Sequence, residues 1–469
     1  MEDALYAMVC LIAVVQSILA IIMIVCMIFR LKKSKRVCVL VIGDIGRSPR
    51  MQNHAISLAE FDFQVDFVGL SGSSPAPEVL QNKNIKIHHL VNCPAKIKGI
   101  PHKVFLLIKA LFQSISLFYY LIFKVDKCSH MLVQNPPSIP TLAVVWFVCC
   151  IKGSSFVIDW HNYGYTILSM NLKSDKALLV NFAKWYEGFF GRKSHANFCV
   201  TKAMQNDLRS RWDVSSSVLY DRPVARYRKT SIEEKHKLFM KLAAEHKEAF
   251  SCGRQTNNGV EVTAFTVKEP GFPAQLKKDR PFLLISSTSW TEDEDFGILL
   301  AALEEYEFRK EMDNTLPKIV CVITGKGPLK DYYVNQINMK KFENVTFVTP
   351  WFSAEDYQQM IGAADLGVCL HTSSSGLDLP MKVVDMFSCG VPVCAVGFDC
   401  LNELVIDDVN GRVFHTYAEL AQQFEDLLRG FPKEHDTLRR YEDNLQPFQN
   451  SKWNHQWEAI AKPIFKNQN

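Results

Sequence analysis

The sequence predicts two α/β domains, each built around a parallel β-sheet, because short β-branched runs alternate with amphipathic helical stretches in two successive series. The strand-like runs of the first series are residues 37–42, 64–68, 130–134, 156–159 and 196–200. Those of the second series are residues 282–286, 319–324, 345–348, 366–370 and 391–396. A chain of 469 residues is also longer than one hydrophobic core normally serves, so two domains are expected.

The domain boundaries are placed where this periodicity fades. We expect an N-terminal domain over residues 36–225 and a C-terminal domain over residues 281–445. Residues 226–280 are charged and helix-favouring at first and then polar, which predicts a linker or mobile insertion. Residues 446–469 carry tryptophan and isoleucine at helical spacing, so we predict a helix that returns to pack on the N-terminal domain.

The N terminus has the pattern of a membrane signal anchor. Residues 5–29 form an uncharged apolar run, and a helix of that length crosses the roughly 30 Å hydrocarbon core of a bilayer. Glu2 and Asp3 precede the run, and a basic cluster follows it over residues 30–36. The positive-inside rule places everything after the anchor in the cytosol. We therefore predict a single transmembrane helix within residues 1–30.

Residues 104–123 form a second apolar stretch, but one with a polar stripe. Lys109, Gln113, Ser116 and Tyr120 are spaced by four, three and four residues and so share one face of a helix. This pattern argues against a second span. It predicts either a helix lying on the membrane surface, helped by flanking lysines, or an ordinary helix covering the sheet.

Charge and cysteine usage exclude other classes of protein. A net charge of +4 over the whole chain is too weak for a nucleic-acid-binding protein. The 14 cysteines are scattered without a CxxC pair or Cys/His spacing, so no zinc site is expected. Many lie in apolar runs, which indicates buried thiols in a reducing compartment.

A glycine-containing segment follows the first strand-like run, at 43–50. Gly46 lets the backbone approach a ligand, and the helix that follows offers its N-terminal amides to an anion. Arg47 and Arg50 could contact phosphate there, or they could simply be solvated. The dinucleotide pattern GxGxxG is absent, which disfavours a nicotinamide or flavin enzyme.

The segment 159–165 follows another strand-like run and is rich in polar and aromatic residues. Asn162 and Tyr163 suit contacts with a sugar, because an amide both donates and accepts hydrogen bonds and an aromatic face offers apolar contact. His161 can accept or donate a proton near neutral pH. The alternative is a structural loop whose histidine is hydrogen-bonded within the protein.

The segment 373–385 gives the strongest site signal in the second domain. A Ser/Gly turn precedes a probable helix that carries Lys382 and Asp385 on neighbouring positions. The helix amides and Lys382 would suit a diphosphate, and Asp385 would suit the hydroxyl pair of a ribose. The turn adds the further binding candidates Ser375, Gly376, Leu377 and Asp378.

Two other strand ends of the second domain supply candidates for the same nucleotide. Gly325, Lys326 and Gly327 follow the run 319–324 and lie at the ligand edge of the predicted sheet. Thr349 and Trp351 follow the run 345–348 and could contact the base, although a structural tryptophan is equally compatible with the pattern.

Four segments, 43–51, 286–296, 323–328 and above all 371–393, resemble the chitobiosyldiphosphodolichol β-mannosyltransferases. The stretch 371–385, His-Thr-Ser-Ser-Ser-Gly-Leu-Asp-Leu-Pro-Met-Lys-Val-Val-Asp, is long enough to be specific. The resemblance implies the GT-B architecture, in which two Rossmann-like domains face a cleft, plus an N-terminal transmembrane helix. It implies an acceptor in the first domain and a nucleotide sugar in the second.

The activity implied by this resemblance is transfer of mannose from GDP-mannose to GlcNAc2-diphosphate-dolichol, in a β1,4 linkage, at the cytosolic face of the endoplasmic reticulum membrane. Other early dolichol-pathway transferases could be partners, and no nucleic acid is expected. No tightly bound cofactor or protein-bound metal is expected, although Mg²⁺ could stimulate the reaction. The alternatives are a UDP-GlcNAc-dependent lipid glycosyltransferase and a non-catalytic membrane scaffold for partner transferases.

The sequence departs from the wider group of retaining GT-B transferases at two places. Those enzymes carry a glutamate eight positions before the residue that matches Asp385, where this chain has Leu377. They also place an Arg/Lys pair after the first strand of the second domain, where this chain has Thr-Ser-Trp at 288–290. Diphosphate binding is therefore expected to rest on helix amides and on Lys382, Lys326 or an arginine of the first domain.

The family reaction inverts the sugar carbon, so it needs one general base. The candidates are Asp44, His54 and His161, all in the first domain. Asp44 and His161 follow strand ends and are equally good candidates for the base. His54 lies one helical turn inside and could as easily be a packing residue.

Overall fold

A computed structural model describes residues 35–92, 102–252, 259–292 and 294–466. The chain divides into two units, one running to Tyr220 and resuming at Gln456, the other extending from Asp221 to His455. Among the described residues, no helix has both the length and the apolarity needed to cross a membrane. The predicted anchor within residues 1–30 lies outside the described part of the chain.

The first unit is built on a seven-stranded parallel sheet with the strand order β3-β2-β1-β4-β5-β6-β7. The strands are β1 (Arg36–Asp44), β2 (Gln64–Leu70), β3 (Ile85–Leu90), β4 (His130–Asn135), β5 (Ser155–Trp160), β6 (Ala196–Cys199) and β7 (Ser217–Val218). Its helices are α1 (Pro49–Glu60), α2 (Pro77–Leu80), α3 (His102–Phe123), α4 (Thr141–Lys152), α5 (Gly164–Leu172), α6 (Leu178–Lys193) and α7 (Lys202–Trp212). The central strands are buried on both faces, as crossover helices require of a parallel sheet.

The second unit carries a six-stranded parallel sheet, β13-β12-β11-β14-β15-β16, and a small antiparallel sheet, β10-β9-β8. Its strands are β8 (Glu261–Val262), β9 (Thr266–Lys268), β10 (Gln275–Leu276), β11 (Phe282–Ser287), β12 (Ile319–Thr324), β13 (Val345–Val348), β14 (Leu366–Cys369), β15 (Val393–Val396) and β16 (Gly411–Phe414). Its helices are α8 (Ile232–Glu245), α9 (Lys247–Phe250), α10 (Phe296–Met312), α11 (Lys330–Met339), α12 (Ala354–Ala363), α13 (Met381–Ser388), α14 (Tyr417–Leu428), α15 (Asp436–Asn444) and α16 (Gln446–Asn450). Two last helices follow, α17 (Trp453–Ile460) and α18 (Lys462–Lys466).

All the strand-like runs of both predicted series form strands of these parallel sheets, which confirms the fold class of each unit. The additional parallel strands β3, β7 and β16 are missed by the sequence pattern. β3 contains a lysine and two histidines within six residues, and β16 begins with a glycine and an arginine. β7 has only two residues. All three lie at the end of a sheet, where a strand is paired on one side and polar residues are tolerated.

The stretch predicted to be a linker or mobile insertion, 226–280, contains packed structure instead. Helices α8 and α9 and the turn between β8 and β9 contribute buried side chains to the core of the second unit: Leu238, Phe239, Leu242, Phe250 and Phe265. The charged residues that suggested a linker lie mainly on the other faces of α8, which begins with a capping box. Part of this stretch, 253–258, lies outside the described residues.

The polypeptide returns to the first unit through residues that follow Gln456. Trp457 is fully buried there, and its indole Nε1 donates a hydrogen bond to His54 Nδ1 at 3.0 Å. Its ring stacks on Phe61 and on Phe465, with centroids 5.5 and 5.9 Å away. A buried aromatic ring with a satisfied polar tip is a strong anchor for such a segment.

Trp457→Ala should lower the free energy of unfolding of the first unit by about 3–5 kcal/mol, because it leaves a large cavity and removes the hydrogen-bond donor to His54. Urea denaturation followed by far-UV circular dichroism would measure this loss. Trp185→Ala is the matched control, since the Trp185 side chain is 54% exposed. Equal unfolding midpoints for the two variants would contradict the anchoring role of Trp457.

Candidate active site

A buried carboxylate organises the carboxyl edge of the first sheet. Asp159, in β5, accepts two hydrogen bonds from the Arg50 guanidinium, each 2.8 Å long. Its Oδ2 also contacts His161 Nε2 at 2.8 Å and His54 Nε2 at 3.2 Å. Burial alone would raise the pKa of Asp159, but Arg50 and the two histidines hold that pKa well below its usual value. The Asp159 cluster (Arg50, His54, Asp159 and His161) therefore contains a permanent carboxylate.

His161 is the member of the Asp159 cluster that reaches solvent, with 22% of its side chain exposed. A carboxylate can only accept hydrogen bonds, so the Nε2 that faces Asp159 carries the proton in the neutral ring. Nδ1 is then left with a lone pair. A carboxylate behind one nitrogen and a lone pair on the other is the arrangement of a general base.

His54, the third base candidate, is excluded by its burial. Its side chain has no exposed surface, Nε2 faces Asp159 and Nδ1 accepts from Trp457. Burial lowers the pKa of His54, despite the opposing effect of Asp159, so the ring is held in its neutral form. This histidine ties α1 to the C-terminal segment and cannot reach an acceptor.

The structure also corrects two predicted ligand contacts of the first unit. Arg50 is buried, and its remaining Nη1 donates to the Leu219 carbonyl at 2.8 Å, so its guanidinium is committed to the protein. Tyr163 is buried as well and donates from its hydroxyl to Asp207 at 2.9 Å. A cation next to a glycine turn and a tyrosine in a polar loop both looked accessible in the sequence, whereas the long-range partners were invisible there.

The glycine-containing turn after β1 is held by Asp44. Its Oδ1 accepts from the Gly46 amide at 2.9 Å and its Oδ2 from the Ser73 amide at 2.7 Å. Burial opposes these hydrogen bonds, but the net effect lowers the pKa of Asp44, which makes it a weaker base than a free carboxylate. A Cβ at Gly46 would overlap the Ser73 carbonyl, so glycine is required. Arg47 extends outward, with 72% of its side chain exposed.

Asn162 has a local structural role in the loop after β5. Its Oδ1 accepts a hydrogen bond from the Tyr163 amide at 2.7 Å, and its carbonyl accepts from Asn135 Nδ2 at 3.2 Å. Glu187, buried beneath the loop, accepts from the Gly164 amide at 2.8 Å. These contacts fix the loop that carries His161.

In the second unit, Glu294 is the central residue and was not among the sequence candidates. It is buried, and its Oε2 accepts from the Thr288 hydroxyl and the Ser289 amide, each at 2.6 Å. Its Oε1 forms an ion pair with Lys382, near the start of α13. His371 Nδ1 lies 3.9 Å from the same oxygen. The predicted diphosphate ligand Lys382 therefore faces a protein carboxylate, a contact that spacing along the sequence could not show.

The turn that precedes α13 is organised by Ser373. The Ser373 hydroxyl oxygen accepts from the amides of Ser375 and Leu377, at 3.3 and 3.2 Å, and its proton is donated to Asp378. Gly376 has a φ of 72°, a left-handed conformation that glycine adopts without strain. The predicted candidates of this turn therefore lie together immediately before a helix N-terminus.

Asp385 lies half-buried on α13, one turn further in. Burial raises the pKa of Asp385 to about 7, although the Tyr227 hydroxyl and the charge of Arg226 act in the opposite direction. The carboxyl group therefore changes charge near neutral pH, where it could accept hydrogen bonds from a pair of hydroxyl groups.

Two further strand ends of the second unit pack closely. A Cβ at Gly325 would overlap the Thr288 carbonyl oxygen, and one at Gly327 would overlap that of Ser289, so both glycines are required by backbone contact. Between them, the Lys326 ammonium lies 4.2 Å above the Trp351 ring, which is 57% exposed.

Thr349, the other candidate of this strand end, accepts a hydrogen bond from Lys330 at its carbonyl, at 2.8 Å. Lys326 and Trp351 together offer a cation and an aromatic face, which are the groups that a nucleotide needs.

Asp385→Asn should stabilise the protein at pH 8. The pKa of the folded carboxyl is about 7 against a usual 3.8, so its contribution to stability is complete below pH 3.8 and is lost as the pH rises through 7. A neutral amide avoids the buried charge, and the gain at pH 8 should be on the order of 2 kcal/mol. Urea midpoints at pH 5.5 and pH 8 measure it.

The control for this measurement is Asp399→Asn, which changes an exposed carboxylate of the same unit. It should leave the pH dependence of the wild-type protein unchanged. An Asp385→Asn variant with that same pH dependence would contradict the raised pKa of the Asp385 carboxyl group.

Comparison with known proteins extends these observations. Residues 268–444 match the family model of the group 1 glycosyl transferases. Solved structures with the same fold include Anabaena HepE in complex with UDP and glucose (TM-score 0.59, 16% identity, 93% of this chain and 100% of that one). Another is WaaG, a glycosyltransferase involved in lipopolysaccharide biosynthesis (TM-score 0.56, 14% identity, 92% and 100%). The chain thus has the GT-B fold with two Rossmann-like domains.

The curated relatives are much more similar in sequence. A human protein named chitobiosyldiphosphodolichol beta-mannosyltransferase is 45% identical over 92% of this chain and 93% of its own length. The Arabidopsis thaliana protein named UDP-glycosyltransferase TURAN is 43% identical over 92% of this chain and 97% of its own. A Dictyostelium discoideum protein with the mannosyltransferase name is 35% identical, again over 92% of this chain. The resemblance stated from the sequence is confirmed, and the chain belongs to the chitobiosyldiphosphodolichol β-mannosyltransferase family of glycosyltransferases.

Proposed function

We propose that the protein transfers mannose from GDP-mannose to dolichyl-diphosphate-linked chitobiose, forming a β1,4 linkage with inversion at the sugar carbon. The family supplies the reaction and the acceptor, since the name that its members share specifies both. The observation that carries the mechanism is the contact of 2.8 Å between His161 and Asp159 at a sheet edge. It supplies the single base that an inverting displacement needs.

In the proposed reaction, Nδ1 of His161 takes the proton of the acceptor hydroxyl as that oxygen attacks the anomeric carbon of mannose. The bond between this carbon and the diphosphate oxygen breaks, and GDP leaves with the bonding electrons. Asp159 stabilises the imidazolium that forms and fixes the ring orientation, as carboxylates behind catalytic histidines do. Asp44 instead holds the glycine turn, because both of its oxygens accept backbone hydrogen bonds.

The second unit would bind GDP-mannose. The amides at the start of α13 and the Lys382 ammonium suit the diphosphate, and Asp385 suits the ribose hydroxyls. Trp351 offers a stacking face for the base, with Lys326 above its ring. The loop 288–290, where wider relatives have a basic pair, is filled here by packing against 325–327. Lys382 would therefore share its charge between Glu294 and the diphosphate.

We place the protein at the endoplasmic reticulum membrane, held by a single helix within residues 1–30, with both units in the cytosol. The apolar run and its basic flank support this proposal. Other early dolichol-pathway transferases are proposed as partners. No tightly bound cofactor is proposed, and Mg²⁺ would stimulate the reaction by shielding the diphosphate of the donor.

Donor choice tests the proposed function directly. The full-length chain in detergent should form a trisaccharide lipid from phytanyl diphosphate-chitobiose and GDP-mannose, and the product should be cleaved by β-mannosidase. UDP-N-acetylglucosamine should give no product. Transfer from the UDP sugar alone would favour the alternative donor that the name of the Arabidopsis relative suggests. Folded protein that uses neither donor would favour the scaffold interpretation.

His161→Gln should lower kcat by about 10²–10⁴-fold, the usual contribution of a general base, with little change in the KM for GDP-mannose. Initial rates at saturating acceptor would measure this. Asp44→Asn should retain more activity than His161→Gln, because Asp44 acts through the glycine turn. The control His415→Gln alters an exposed histidine of the second unit and should leave kcat unchanged. A near-normal kcat for His161→Gln would exclude His161 as the base.

A further inference from the structure

Helix α3 (His102–Phe123) buries Leu117 and Leu121, as a surface helix normally does, but it also carries a second apolar face that is exposed. Lys109, Gln113 and Ser116 line a cavity between the helix and the sheet. Apolar side chains at helical spacing point outward instead and are 47–68% exposed: Ile108, Leu111, Ile115, Tyr119 and Phe123. An ordinary surface helix has one apolar stripe, which it buries against the core. The second, exposed apolar face indicates an apolar environment outside, and the polar side chains of the cavity indicate a polar ligand there.

The cavity lies at the carboxyl edge of the first sheet, where open α/β folds bind ligands. Its volume is about 270 Å³. The apolar part of its wall comes from the ends of three neighbouring strands and from the helix, through Ile42, Leu70, Leu90 and Leu117. The polar part comes from Lys109, Gln113, Ser116 and Asn92. No acidic side chain of the described residues lines it. The cavity is therefore positively charged at one side and apolar at the other.

The polar side chains of the wall have no partners within the described part of the chain. Lys109 forms no ion pair there, and neither Gln113 nor Ser116 makes a side-chain hydrogen bond to a described residue. By contrast, Ser114 on the same helix donates to the Ala110 carbonyl at 2.7 Å. Lys109 is exposed, and Gln113 and Ser116 are half-buried. One ammonium, one amide and one hydroxyl group beside an apolar wall suit an anion that is attached to hydrocarbon.

We propose that this cavity binds the diphosphate and the first isoprene unit of an isoprenoid diphosphate, the lipid end of the acceptor, while the outward stripe of α3 carries the following isoprene units. Lys109 would bind the diphosphate, with Gln113 and Ser116 donating hydrogen bonds to its oxygens. The identity of the lipid rests on the proposed function. The charge and the shape of the cavity are independent of it.

The position of the cavity fits the position of the proposed base. Ile42 lies in β1, and His161 directly follows β5, which is two strands away in the order β1-β4-β5. Two strand spacings are about 10 Å, which is comparable with the length of a disaccharide.

Direct binding tests the proposal without requiring sugar transfer. A fluorescent farnesyl diphosphate should bind the full-length chain in detergent, and Lys109→Gln should weaken its Kd about tenfold or more. Lys124→Gln, which changes an exposed lysine just beyond the same helix, is the matched control and should leave the Kd unchanged. Equal affinities for the two variants would overturn the proposal, as would displacement of the probe by inorganic diphosphate at its own concentration, which indicates an anion site only.

Kinetics separate this proposal from the proposed function. With phytanyl diphosphate-chitobiose, Lys109→Gln should raise the acceptor KM about tenfold and leave the KM for GDP-mannose unchanged. Leu111→Gln, on the exposed stripe, should raise the acceptor KM for the phytanyl lipid more than for a short-chain analogue. If mannose transfer fails but farnesyl diphosphate still binds through Lys109, the site stands and the proposed reaction falls. If transfer occurs and Lys109→Gln leaves the acceptor KM unchanged, only the site falls.

Discussion

The buried ion pair between Asp159 and Arg50 determines the arrangement at the carboxyl edge of the first unit's sheet. Two buried charges are stable only when each has its partner, and removing one from such a pair typically costs about 3–5 kcal/mol. Here the carboxylate in β5 holds α1 through Arg50 and His54, and Arg50 in turn holds the chain at Leu219. The same carboxylate orients His161. A structural role and the proposed chemical role therefore meet in one residue, so substitutions of Asp159 itself cannot separate them.

The sequence predicted the parallel sheets because a strand buried on both faces must be apolar throughout, and that composition is local. It also predicted which loops carry the candidate residues, since the loops follow those strands. It could not predict which side chains would be committed to the protein. Arg50 and Asp159 are far apart in sequence, as are Glu294 and Lys382, and no local pattern reports their contact. The only local sign was an acid within an apolar strand-like run, at Asp159.

In the second unit, close backbone packing restricts where a positively charged side chain can lie. The loops after β11 and β12 are in contact through Gly325 and Gly327, which leaves no room for long side chains between them. Glu294 then occupies the space beneath Thr288 and Ser289, and it brings Lys382 to the start of α13. The positive charge of Lys382 thus lies near a helix N-terminus. In the wider group of GT-B transferases the Arg/Lys pair lies instead in the loop after the first strand of the same kind of sheet.

The return of the polypeptide to the first unit has a consequence for biosynthesis. Trp457 and Phe465 complete the packing around His54 and Phe61, yet the ribosome makes them only after all of the second unit. At translation rates of about 5–20 residues per second, the surface around His54 and Phe61 therefore stays exposed for tens of seconds before Trp457 and Phe465 are made. The second unit has no such dependence, so it can complete its fold first, and a nascent first unit would need protection from aggregation during that interval.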